Sequence, residues 1–259
     1  MAHTFRSVTL DEVGSTNTEA FERARAGEKG PLWIVARRQT QGRGRSGRRW
    51  TSVEGNLHAS LLQRLACPPA VVHQLSLVAG VAVIDAIGAA AGDRKLPGLR
   101  LKWPNDILIG DAKCAGILSE SQMDNGTSEV IAVIGVGIDL VSHPNGLQRA
   151  TTHLAAHGVK ATPEEMLGLL AQNMERWLGL WDAGNGFARV RAAWLGHGGR
   201  AGEGLSVDTG KEKITGTFVD LDADGALLMQ DGHGARRRVT FGDVTLAPAA
   251  MPAAIMGGE

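Results

Sequence analysis

"QGRGRSGRRW", residues 41–50, contains a formal G-x-G-x-x-G at Gly42, Gly44 and Gly47. Six arginines lie between Arg37 and Trp50, with no acidic residue among them. A dinucleotide-binding fingerprint requires that such a loop run straight into a helix, whose amides then meet the pyrophosphate inside a βαβ unit. Here "RRWTSVEGNL" (48–57) follows, with no helical face and no acidic residue placed for a ribose. The βαβ context of a Rossmann turn is therefore missing. A kinase glycine loop fails for want of its companion catalytic motifs. What remains is a flexible loop that concentrates permanent positive charge. The chain as a whole carries Lys+Arg 27 against Asp+Glu 27, a formal net charge of zero. A protein that grips nucleic acid through its field should be basic overall or along one face. Charge concentrated at one point predicts instead a small, highly charged ligand.

Outward from this loop the elements alternate. "LWIVARRQT" (32–40) reads as a strand entering the loop, and "GNLHASLLQRL" (55–65) as a second strand leaving it. Upstream, "STNTEAFERARAG" (15–27) predicts a helix, with Thr16 and Glu19 as a capping box, Phe21 and Ala24 on its apolar face and Gly27 at its end. Downstream, "VHQLSLVAGVAVIDAIGAAAG" (72–92) predicts a long buried helix ended by Gly92. Two tightly connected strands follow in "LRLKWPNDILIG" (99–110) and "KCAGILSESQM" (113–123), then an apolar strand in "SEVIAVIGVGIDL" (128–140). Asn125-Gly126-Thr127 matches a glycosylation sequon but reads better as a hairpin turn. In "TPEEMLGLLAQNMERWLGLWDAG" (162–184), Thr162, Pro163 and Glu165 form a helix start. Met166, Leu169, Leu170, Trp177 and Trp181 share one face of that helix, so these tryptophans read as core.

After Gly202 the chain turns to short, alternating, turn-separated segments, which predict a small all-β, barrel-like domain of about 50 residues. The last stretch, "AAMPAAIMGGE" (249–259), is expected to fray. "DLDADGALLMQD" (220–231) nearly fits a calcium loop, but strand-like flanks replace the two helices an EF-hand needs, so a β-hairpin at Asp224-Gly225 is expected. Of the eight histidines only His153 and His157 stand in H-x-x-x-H spacing, with no carboxylate in or beside that stretch, so a metal-hydrolase reading has little support. Cys67 and Cys114 provide neither a disulfide framework nor a metal-site spacing. "MAHTFRSVTLDEVGS" lacks the parts of a signal peptide, and no apolar run approaches the roughly 20 residues of a membrane span. A cytoplasmic protein is the natural reading.

Four stretches combine in order: "GSTN" (14–17), "RQTQGRGRSGRRW" (38–50), "LKWPNDIL" (101–108) and "KCAGIL" (113–118). Together they resemble the biotin protein ligases. "GNLHASLL" (55–62), "GVGIDL" (135–140) and "FGDVTL" (241–246) add weaker support, so the resemblance runs from about residue 14 to 246. It implies an α+β fold with a mixed, mostly antiparallel sheet backed by helices and a small C-terminal SH3-like β-barrel. The implied domains are a catalytic one at 1–200 and a C-terminal one at 201–259. The implied reaction is attack of biotin's carboxylate on the α-phosphate of ATP, giving biotinyl-5′-AMP, followed by transfer of biotin to a lysine of a carrier protein. That carrier is the biotin carboxyl carrier protein of acetyl-CoA carboxylase or of another biotin-dependent carboxylase. Mg²⁺ is expected to enter with the nucleotide. Only about 14 residues precede "GSTN", too few for a DNA-binding fold, so the monofunctional form is expected, with neither DNA nor membrane as partner. Monomer and homodimer stay open. A lipoate or octanoate ligase or transferase of the same fold is the alternative.

The resemblance also assigns residues. Ser15, Thr16, Asn17 and Gln39 hold biotin's ureido end, which needs groups that both donate and accept. Gly42, Arg43, Gly44, Arg45, Lys113 and Gly116 complete that pocket. Arg43, Arg45, Arg48, Trp50, Asn105 and Lys113 meet ATP, Trp50 and Asn105 at the adenine. Lys113, Arg45 and Asp106 are the catalytic set. Lys113 neutralises the carboxylate–phosphate junction, and Asp106 receives the acceptor lysine's ammonium and takes its proton. Thr16 is also a candidate helix cap. Two positions depart from the family's pattern: Asp139 stands where asparagine is usual, and His58 where tyrosine is common.

Overall fold

The computed structural model describes residues 5–124, 126–144, 146 and 149–247. The chain divides into two compact units, Met1–Gly198 and Gly199–Glu259. In the first unit the elements run β1 (Ser7–Val13), α1 (Thr16–Arg25), β2 (Leu32–Gln39), β3 (Leu57–Leu65), α2 (Leu75–Ala91), β4 (Leu99–Lys102), β5 (Asp106–Ile109), β6 (Ala112–Met123), β7 (Val130–Ile138), α3 (Pro163–Trp181) and α4 (Phe187–His197). The seven strands form one sheet in the order β1-β2-β3-β7-β6-β5-β4. Only β1 and β2 pair in parallel; the other ladders are antiparallel. The sheet is thus mixed and backed by helices, as expected.

The core follows the apolar pattern. β7, in the middle of the sheet, is buried along almost its whole length, which is why "VIAVIGVGI" lacks a polar face. Ala20 and Ala24 of α1 pack on Leu32, Ile34, Leu62, Ile131 and Val133 of β2, β3 and β7. α2 packs against α3, α4 and strands β4–β7. The helical run Pro69–Ala91 is long and apolar enough to cross a membrane, yet most of it is buried inside the first unit, so it is a core helix. α3 buries Met166, Leu170, Met174, Trp177 and Trp181. The indole N–H groups of Trp177 and Trp181 donate to Asp85 and Gln74, both at 2.7 Å, which lets two polar atoms enter the core.

The two expected capping boxes part company. At α3, Glu165 N donates to Thr162 Oγ1 at 3.1 Å and Thr162 N to Glu165 Oε2 at 2.8 Å. At α1 the box between Thr16 and Glu19 does not form. Ser15 is the N-cap residue and makes no side-chain cap, while Glu19 pairs with Arg23 at 2.7 Å. Thr16 is drawn elsewhere: its amide and hydroxyl both donate to Gln39 Oε1, at 2.9 and 3.1 Å.

The second unit contains β8 (Gly204–Asp208), β9 (Lys213–Leu221), β10 (Leu227–Asp231), β11 (Arg236–Val239) and β12 (Asp243–Leu246), in the order β11-β10-β9-β8-β12. The expected closed SH3-like barrel is not present. Closure requires the two outer strands to pair with each other, whereas β11 bonds only β10, and β12 only β8, among the described residues. Three residues, Thr240–Gly242, separate these four-residue end strands. The sheet therefore curls until its ends approach, but the linking residues are spent on the turn and no closing ladder forms. The acidic hairpin is as expected: Asp222 N bonds Ala226 O at 2.7 Å across the turn. Its carboxylates take Arg238, Asp222 at 2.5 Å and Asp224 beside it, rather than converging on a cation. The expectation of a frayed 249–259 tail and part of the 125–127 turn lie outside the described residues.

Candidate active site

Two cross-strand rows at the centre of the sheet carry the site. In the first, Ser60 of β3, Gly135 of β7 and Leu118 of β6 stand side by side. In the second, His58, Gly137 and Gly116 do the same. Each row has glycine on β7, and each bare glycine is covered by a visiting side chain. A Cβ built on Gly135 would collide with the Asn17 amide, and one on Gly137 with the Trp50 indole. Residues 135 and 137 face the same side of a strand, about 7 Å apart. Asn17 and Trp50 therefore lie next to each other on one face.

The Asn17 row is a polar cradle. Ser60 Oγ lies 2.7 Å from Thr16 Oγ1 and 2.6 Å from Asn17 Oδ1. Asn17 Nδ2 donates to Glu120 Oε2 at 2.7 Å and to Leu118 O at 3.2 Å. Ser15, Thr16, Asn17 and Ser60 are all buried. Glu120 also takes Arg43, at 3.1 Å, while Arg43 donates to Thr18 Oγ1 at 2.7 Å. The arginine-rich loop is thus pinned to the cradle at its start. Its base closes as a narrow hairpin: Trp50 N donates to Gly42 O at 2.9 Å and Gly44 N to Arg48 O at 2.7 Å. A Cβ at Gly42 would press on the Trp50 carbonyl, at 2.7 Å.

The Trp50 row ends in charge. Lys113, the second residue of β6, is buried, with its Nζ 5.5 Å from the Trp50 ring centroid. A Cβ on Gly116 would meet that Nζ at 2.7 Å. Lys113 is ion-paired with Asp106, the first residue of β5. The same carboxylate takes Lys102 at 3.0 Å and Arg149 at 3.8 Å. Burial alone would raise the Asp106 pKa, but Lys113 and Lys102 outweigh it and hold the carboxyl well below the usual range. Burial lowers Lys113, against the pull of Asp106 and with the help of Arg149 and Lys102. Asn105 donates to Ile117 O at 2.7 Å and receives Arg45 at 3.4 Å. Arg48 is exposed, its Nε 3.4 Å from Arg45 O.

Behind these groups, Asp139 N donates to Cys114 O at 2.8 Å. Its carboxyl is raised to about 7, because burial disfavours the charge more than Lys113 and Arg149 favour it. Asn56 holds the segment: Nδ2 donates to Asp139 Oδ1 at 3.0 Å, and Oδ1 accepts Leu140 N and Val141 N at 2.9 and 3.0 Å. Burial pushes the Cys114 thiol up to about 12, which suits a core filler rather than a nucleophile.

Residues 11–139 match the "Biotin/lipoate A/B protein ligase family", and residues 202–246 match the "Biotin protein ligase C terminal domain". A biotin–[acetyl-CoA-carboxylase] ligase of Paracoccus denitrificans is 38% identical over 233 residues, covering 87% of this chain and 94% of that protein. The chain belongs to the biotin protein ligase family. A second such ligase, from Mycobacterium tuberculosis, is 31% identical and covers 90% of this chain and 86% of its own. The biotin protein ligase of Aquifex aeolicus, solved in complex with biotin and ATP, superposes with a TM-score of 0.75 at 27% identity, over 93% of this chain and 98% of that one.

In this biotin protein ligase the structure gathers Thr16, Asn17, Gln39, Trp50, Asn105, Asp106, Lys113 and Gly116 around the two adjoining rows, ties the loop to them through Arg43 and Arg45, and leaves Arg48 exposed on the loop. It also adds residues that sequence reasoning missed. Ser60 and Glu120 complete the cradle, Lys102 and Arg149 share Asp106, and Asn56 holds Asp139. Ser60 and Asn56 lie in "GNLHASLL" (55–62), where the resemblance is weaker. Alternation along that strand places 58 and 60 on one face, the one available signal. Arg149 gave no signal, because a distant loop brings it in.

Proposed function

We propose a division of labour among these side chains for the ligase reaction. The chain is an ATP-dependent biotin ligase that forms biotinyl-AMP and biotinylates a carrier protein. The cradle of Ser15, Thr16, Asn17, Gln39 and Ser60 takes the ureido group, whose two N–H donors and carbonyl need hydroxyls and amides. The valeryl chain then runs past Asn17 and Trp50, which cover the glycine floor, toward Lys113. The observation that carries this reading is the charge at that end. Lys113, Lys102 and Arg149 converge on the carboxylate of Asp106, and Asp139, its pKa raised to about 7, offsets them only in part, so positive charge is in excess around the buried Lys113–Asp106 pair, with Arg149 at its exposed rim. Such a site is incomplete without an anion. Biotin's carboxylate and the α-phosphate of ATP supply it, and Lys113 stabilises the charge that accumulates as the first attacks the second. Arg43, Arg45 and Arg48, with Gly42 and Gly44 allowing close approach, fold over the phosphates as pyrophosphate leaves. Trp50 and Asn105 receive the adenine.

Asp106 keeps Lys113 in place before the anion arrives. A carboxyl held so far below its usual range is a poor proton acceptor, so its part in transfer is to attract the acceptor ammonium rather than to act as a strong base. Mg²⁺ enters on ATP's own phosphates: among the described residues no three His, Cys, Asp or Glu side chains are grouped to hold a metal ion. We take residues 1–200 as the catalytic domain, 201–259 as a C-terminal domain, and the carrier domain of acetyl-CoA carboxylase as the acceptor. The buried, free Cys67 and Cys114 fit a reducing cytoplasm.

ATP–pyrophosphate exchange, with biotin, lipoate and octanoate offered separately, tests the acid. Exchange is expected with biotin only; exchange driven by lipoate or octanoate would move the chain to the other branch of the fold. Lys113→Ala should fold normally and lose about 10²–10³ in exchange rate. A folded variant with normal exchange would remove Lys113 from the chemistry.

A further inference from the structure

We propose that His58 is the positioning residue that sets Trp50 in the nucleotide half of the site. The inference rests on the reading of Trp50 as an adenine contact. His58 is 1% exposed and flanks Gly137 on β3, so its ring meets the edge of the indole that lies over Gly137 and Gly116. Trp50 Nε1 lies 3.3 Å from His58 Nδ1, and His58 Nε2 lies 3.3 Å from Val53 O. An indole nitrogen only donates, and a carbonyl only accepts. These two partners therefore fix one form of the imidazole: Nε2 carries the proton and gives it to Val53, while Nδ1 presents its lone pair to Trp50. Burial lowers the His58 pKa, which keeps that lone pair free at neutral pH.

The neighbouring row shows the same device in other atoms. There Ser60, on the same strand face, contacts Asn17 over Gly135. In each row the β3 residue is the polar stop against which the visiting side chain rests. The glycines make room for the indole but cannot orient it, because a flat floor leaves a ring free to rotate in its own plane. His58 removes that freedom, and the Lys113 ammonium lies on the ring's face.

The test is steady-state exchange with the full chain, reading the KM for ATP, the KM for biotin and kcat separately. His58→Phe keeps the ring volume and removes the acceptor. It is expected to raise the KM for ATP roughly three- to tenfold, the range of one lost hydrogen bond, with kcat and the KM for biotin nearly unchanged. His58→Asn places an amide oxygen where Nδ1 stands and should restore the KM for ATP. His58→Gln places its amide toward Val53 and should not. The Asn and Gln pair decides the matter if the Phe variant fails to fold. Trp50→Ala separates the two levels of the argument. If it raises the KM for ATP while the His58 variants all match the wild type, His58 does not position Trp50. If Trp50→Ala leaves the KM for ATP unchanged, the adenine role of Trp50 falls and this proposal with it.

Discussion

Asp139 shows how one atom type changes a site's behaviour. Its folded-state pKa of about 7 stands above that of an unfolded aspartate, near 3.9. The folded chain therefore holds a proton that the unfolded chain has released across that interval. The linked stability is complete below the unfolded pKa and is lost as pH rises through about 7. Asp139→Asn keeps an oxygen for Asn56 Nδ2 and removes the titration. Urea unfolding should show the variant's advantage growing from about pH 4 to pH 8, to the order of 2–4 kcal/mol. A gap that does not change with pH would assign the difference to packing. The sequence marked Asp139 as a departure but not its cause, because burial and the approach of Lys113 and Arg149 are products of the fold. The motif residues were legible for a related reason: Lys113, Asp106 and the arginines sit in short local patterns. Asn56 and Arg149 act across 83 and 43 residues, and no local pattern reports that reach.

At the scale of elements, two S/T-x-x-E patterns predicted two capping boxes and one formed. Local sequence gave no means to separate them. Thr162 caps α3 through its bonds with Glu165, while Thr16 is claimed by Gln39, 23 residues away. Thr162→Ala should therefore cost about 1 kcal/mol of stability by chemical denaturation and leave exchange activity intact. A loss below a few tenths of a kcal/mol would mean that packing of α3 hides the cap. Most strands were readable from alternation and apolar runs, but β1 and α4 carried no clear signal, and the single strand expected over 99–110 is two, β4 and β5, broken by the turn at Trp103–Asn105. Closure of the second sheet was not readable, since alternation reports which face a residue takes and not whether two distant edges meet.

Across the whole molecule, 27 basic and 27 acidic side chains cancel, so no long-range field gathers polyanions. The positive surplus is local, at Asp106 and along the 43–49 loop. Duplex DNA should therefore bind negligibly at about 0.15 M salt, as read by fluorescence anisotropy. Over the same titration the KM for ATP should rise only modestly up to about 0.5 M salt, because its charge partners are partly buried and poorly screened. Micromolar, salt-sensitive DNA binding would show a basic face that the charge balance hides.

The glycine floor has a consequence for how this enzyme can change over generations. Every replacement of a glycine adds at least one side-chain carbon, and at 135 and 137 that carbon would displace Asn17 or Trp50. No single amino-acid replacement at 135 or 137 keeps both visitors seated. Drift and adaptation at this site must run through its walls, and position 58, where the His58 ring borders Gly137, is one such wall.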